Sequence, residues 1–60
     1  MNNFIKKGVW IADKRGTYAI ADMEDNYVVI RDVLKTNKGK FVYGKRRIIG
    51  IKDLDNYEVV

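Results

Sequence analysis

Apolar and polar residues alternate along most of this chain with a period of two, not every third or fourth position, and that pattern predicts strands. From Val9 to Lys14, Val9 and Ile11 point one way and Trp10 and Ala12 the other, which makes a first strand. Trp10 is the large filler a small core needs and is assigned to the interior. Arg15-Gly16 follows as a tight turn, with glycine supplying a positive φ. From Thr17 to Met23, Tyr18, Ile20 and Asp22 alternate against Thr17, Ala19, Ala21 and Met23, so the two runs pair as a hairpin. Asp13 and Asp22 are placed to meet Arg15 or Arg31 across it.

Asp22-Met23-Glu24-Asp25-Asn26 has the short polar side chains of a turn, since these bond their own backbone. It lacks the glycine and the ligand spacing of a calcium loop, and no metal is assigned to it. Tyr27-Val28-Val29-Ile30 is the strongest β segment and continues to Leu34. Residues 26–38 also carry a helical spacing at Ile30, Val33 and Leu34, but a β-branched run is costly in a helix, so strand is preferred. Lys35 to Lys40 is a basic loop with Gly39 suited to a hairpin. From Lys40 to Ile51 two readings fit: one long strand with a bulge at Gly44, or two short strands with a turn at Gly44-Lys45. Lys52-Asp53-Leu54-Asp55 reads as one 3-10 turn, and Asn56 to Val60 as a closing strand tied down by Val59 and Val60. Val and Ile total 14 residues against two Leu and three Ala, which favours an all-β fold of five short strands.

Charge changes the picture in one place. Between Val33 and Lys52 lie Lys35, Lys38, Lys40, Lys45, Arg46, Arg47 and Lys52 with no acidic residue, whereas the first 32 residues balance five basic against five acidic side chains. The whole excess behind the net charge of +4 sits in that window, interleaved with Phe41, Val42, Tyr43, Ile48, Ile49 and Ile51. Such a stripe suits an anionic partner.

Sixty residues make a single domain, 1–60. A chain of this size buries only about 60% of its unfolded surface, so a deep catalytic cleft is not expected and self-association is a natural support. With no Cys, His or Ser, the usual nucleophile–base pairs and the usual zinc ligands are both missing. A non-enzymatic protein without a cofactor is expected. The start, Met1 to Lys7, and the short apolar run Val9 to Ala12 are too brief for a signal peptide or a membrane span, which predicts a cytoplasmic, soluble protein.

Five short strands with a one-turn break before the last resemble the small Src-homology-3-like barrels. Gly50 to Val59 is similar to the late strand, short helical turn and final Asn-Tyr-bearing strand of that family. The family's acidic, aromatic ligand loop has no counterpart here, so proline-peptide binding is not implied. The Sm-like RNA-binding proteins offer a second resemblance. Val9 to Gly16 has the spacing of their first strand and turn, Asp25 to Ile30 resembles their Asp-aromatic-aliphatic strand, and Val42-Tyr43-Gly44-Lys45 resembles a Val-Tyr-Lys-His stretch of bacterial members, without the His. These resemblances imply a five-stranded barrel and a possible ring of subunits.

Lys40, Phe41, Tyr43, Lys45, Arg46 and Arg47 are the candidate ligand-binding residues. Their cations suit phosphates and their rings suit bases. The same charges would also keep an edge strand from aggregating. Strict alternation sets Lys45 and Arg47 on one face and Arg46 on the other. The expected partner is nucleic acid or a nucleotide, bound through backbone and stacking contacts, since the chain lacks Gln and any recognition helix. The alternative is a small protein-binding regulator that offers an edge strand to another sheet or its basic face to an acidic protein surface.

Overall fold

A computed structural model describes residues 5–60. Residues 1–4, part of the Met1 to Lys7 start considered above, lie outside the described residues. The order is β1 (Trp10–Asp13), β2 (Gly16–Met23), β3 (Tyr27–Lys35), β4 (Phe41–Gly50), a 3-10 helix (Ile51–Asn56) and β5 (Glu58–Val59). The strands form one antiparallel sheet in the order β4-β3-β2-β1-β5. The all-β expectation of five strands with one 3-10 element before the last holds. Barrel closure is not found: β4 and β5 are the sheet edges, and no ladder joins them among the described residues.

The β-branched run in β3 forms strand rather than helix, as side chains that crowd a helix pack well on a pleated face. The β1–β2 turn lies one residue earlier than expected, at Lys14-Arg15: Gly16 has the expected positive φ, 159°, but pairs with Asp13 and opens β2. The Asp13 carboxylate holds the turn, accepting the N–H groups of Arg15 (2.9 Å) and Gly16 (3.2 Å). Asp22 likewise accepts the Met23 N–H at 2.9 Å, so neither aspartate makes the ion pair with Arg15 or Arg31 that its position suggested. In the β3–β4 loop Gly39 also takes a positive φ, 80°, and the Thr36 carbonyl accepts its N–H at 2.9 Å.

Two bulges decide which residues reach the core. Ile20 pairs with Ile30 but Asp22 with Val29, so Ala21 is an extra residue in β2. Strict alternation would place Asp22 beside Tyr18 and Ile20; the bulge sets Met23 there and turns Asp22 outward. The core is Ile11, Tyr18, Ile20, Val28, Ile30 and Leu54, with Ile5, Val9, Met23, Ile49, Ile51 and Tyr57 packed against it. Leu54 is the buried residue of the 3-10 helix. Trp10 is a correction to the sequence expectation. Ile11 is the fully buried residue of β1, and its neighbour Trp10 is only half-buried on the opposite face.

Candidate nucleic-acid interface

The second face of the sheet, away from Ile11 and Ile30, follows from the ladders. Trp10 stands opposite Ala19, Ala19 opposite Arg31 and Arg31 opposite Arg46, which makes one row across four strands. Beside it on β3 and β4 lie the pairs Val33–Tyr43 and Lys35–Phe41, and on the other side Val29–Ile48. Ala19 is buried yet outside the core cluster, as a small residue between Trp10 and Arg31 should be. Phe41, Tyr43 and Ile48 are exposed, at 55%, 51% and 69%.

Tyr43 and Arg46 share this face only because of the second bulge. Arg31 pairs with Arg46 and Val33 with Tyr43, so Asp32 alone faces both Gly44 and Lys45. Without the extra residue, two positions three apart on a strand would point to opposite faces. Of the two sequence readings at Gly44, the bulge within one strand is therefore correct. A Cβ at Gly44 would lie 3.2 Å from the Asp32 Cβ and 3.5 Å from Leu34 Cδ1, a close approach of the backbone to β3 that any side chain here would have to relieve by displacing Asp32 slightly. Arg31 fastens the bulge from the neighbouring strand, its Nε donating to the Gly44 carbonyl at 3.1 Å and its Nη2 to the Tyr43 carbonyl at 3.4 Å. The Arg31 guanidinium also lies over the Tyr43 ring, 5.8 Å from its centre. The Phe41 ring meets Trp10 edge to face at 5.1 Å.

The six sequence candidates therefore separate. Phe41, Tyr43 and Arg46 share the open face, where Arg31, Trp10 and Lys35 join them. Lys45 sits exposed in the bulge, where it shares Asp32 with Gly44 as its neighbour on β3. Lys40 lies in the loop before β4, its N–H donated to Thr36 Oγ1 at 3.2 Å and its side chain exposed. Arg47 belongs to the core-side face opposite Ile30, and is engaged: its Nη2 donates to Asp32 Oδ1 at 3.2 Å, and its guanidinium lies 5.1 Å from the centre of the Tyr18 ring. The hydrogen bond to Asp32 holds its pKa above the ordinary arginine value. Sequence reasoning missed Arg31 and Lys35 as neighbours of this site. Their odd-numbered spacing with Val33 along β3 carried the signal, but only the bulge aligns it with β4.

The acidic turn closes as a hairpin, the Glu24 N–H donating to the Tyr27 carbonyl at 2.9 Å, and among the described residues no three metal-ligating side chains converge. No helix among them is long and apolar enough to cross a membrane. No family model, curated protein or solved structure matches this chain.

Proposed function

We propose that this domain is a non-enzymatic binding module that takes a phosphate-bearing partner, single-stranded nucleic acid above all, across the open face of β3 and β4. One observation carries the reading: the Gly44–Lys45 bulge aligns Arg46 with Phe41 and Tyr43 beside Arg31 and Lys35, so exposed rings and cations alternate over one surface. Phe41 and Tyr43 are two strand positions apart, about 6.6 Å at the usual rise. That is roughly twice the 3.4 Å stacked spacing of bases along one strand, so two rings can each take a base only from a strand whose bases are spread apart. A duplex offers no such faces, and a free nucleotide would use a single ring with one or two cations.

The scaffold is Src-homology-3-like in strand order in this reading, with the sheet left open between β4 and β5. The strand order, with β5 beside β1, and the 3-10 helix between β4 and β5 support it. Binding of a fluorescent random single strand, compared with a duplex across a salt series, is the test. Two phosphate contacts, from Lys35 and Arg46, give a slope of roughly −1.4 in log affinity against log salt, at about 0.7 per contact. Absence of binding at low salt, or a preference for duplex, would falsify the single-strand reading.

A further inference from the structure

β4 has a neighbour on one side only. The Ile51 N–H donates to the Asn26 carbonyl at 3.1 Å, which fixes the parity of the ladder. Val28–Ile49 and Ile30–Arg47 exchange backbone hydrogen bonds, and Arg46, Ile48 and Gly50 turn their N–H and C=O groups away from β3. Two places along this edge are occupied, the last residue of the strand and the bulge. The Asp53 carboxylate accepts the Gly50 N–H at 3.3 Å, and the Arg31 guanidinium covers the Tyr43 and Gly44 carbonyls. Between these two plugs the N–H and C=O groups of Arg46 and Ile48 remain open, and Ile48 is 69% exposed.

We propose that this three-residue opening receives an extended acidic peptide of a partner protein, added antiparallel as a sixth strand. Two outward-facing residues supply four backbone hydrogen bonds, a minimal form of strand addition. Charge selects the occupant. A second copy of this chain pairing here about Arg47 would set Arg47 against Arg47, Arg46 against Ile48 and Lys45 against Ile49, and with no acidic residue between Val33 and Lys52 it would bring no carboxylate to any of these cations. An acidic segment meets the opposite condition. Its order follows from the antiparallel direction: an apolar residue opposite Ile48, then, two positions later, a carboxylate opposite Arg46, with further carboxylates toward Lys45. This use of the β4 edge is separate from the open face, since it engages backbone groups that a stacked base does not.

The probe is the blocked peptide Ac-TTVTEE-NH2, titrated into the intact protein and followed by amide exchange and chemical shift. Its valine stands opposite Ile48. Exchange of the Arg46 and Ile48 amides is expected to slow about tenfold or more, and N-methylation of the valine to weaken binding roughly tenfold, because the Ile48 carbonyl loses its donor while every charge is kept. Equal affinity for the N-methylated peptide would reduce the contact to charge attraction and overturn the proposal. So would protection of those amides by protein concentration alone, which would make a second copy the occupant, or the absence of any response at millimolar peptide.

Discussion

Asp32 holds Arg47 away from the open face: the two meet at 3.2 Å on the core side of β3 and β4, with the Arg47 guanidinium over Tyr18. Adjacent in sequence, Arg46 and Arg47 therefore have different work. Arg46→Ala is expected to flatten the salt dependence of single-strand binding by about 0.7, and Arg47→Ala to leave it unchanged. Asp32→Asn removes the partner's charge and is expected to raise affinity at low salt. Equal effects of the two arginine variants would show that both reach the ligand.

The rings act through a different force. Tyr43→Ala is expected to weaken single-strand binding by about 1–3 kcal/mol with no change in salt slope, because a lost stack releases no counterion. Isothermal titration at two salt concentrations separates the two quantities. A changed slope with unchanged affinity at low salt would mean that Tyr43 only positions Arg31, over which its ring lies.

Burial on β1 separates two adjacent apolar residues. Ile11 is fully buried at the centre of the core, and its truncation to Ala should cost about 2–5 kcal/mol. A 60-residue domain has about 3–9 kcal/mol in total. Trp10→Ala removes a half-buried ring from the open face, so chemical denaturation should find it folded, with weaker ligand binding through the loss of its contact to Phe41. Unfolding of the Trp10 variant, with Ile11→Ala tolerated, would reverse this assignment.

Gly44 makes the bulge possible by omission. Gly44→Val puts a branched side chain where even a Cβ lies 3.2 Å from that of Asp32, and overpacking of this kind costs typically about 1–3 kcal/mol. The denaturation midpoint should fall. If it does not, β3 and β4 separate more easily than their ladder indicates, and the shared face of Tyr43 and Arg46 loses its geometric basis.

Period-two patterning located all five strands, most directly in β3, which buries Val28 and Ile30 at alternate positions, and Asp53 with Leu54 marked the 3-10 helix, which runs one residue further at each end than the sequence indicated. The facing of individual residues was not legible. A bulge adds one residue and reverses every side chain beyond it, and neither Ala21 nor Lys45 differs in type from an ordinary strand residue. The candidate stretch was therefore visible as composition, whereas its division into Phe41, Tyr43 and Arg46 on one face and Arg47 on the other depends on register. Arg31 was hidden for a further reason: its role is to satisfy carbonyls that exist only because the bulge exposes them.

Tyr57 gives the fold a dependence on alkaline pH. Its ring packs edge to face on Tyr18 at 5.7 Å, and its hydroxyl is held above the usual phenol value of 10.0, first by burial and then by the negative charge of Asp13. Below about pH 10 the phenol is protonated in both the folded and the unfolded chain, so it contributes no slope. Above that, the unfolded chain loses the proton while the folded one keeps it. Unfolding then releases a proton, and stability falls as pH rises until the folded phenol ionises as well. The comparison is with Tyr57→Phe, which keeps the ring and removes the ionisable group. Urea midpoints of the two proteins should differ by a constant amount up to about pH 10, after which the parent should decline faster. Curves that stay parallel to pH 11 would mean that the Tyr57 hydroxyl is as well solvated in the folded chain as in the unfolded one.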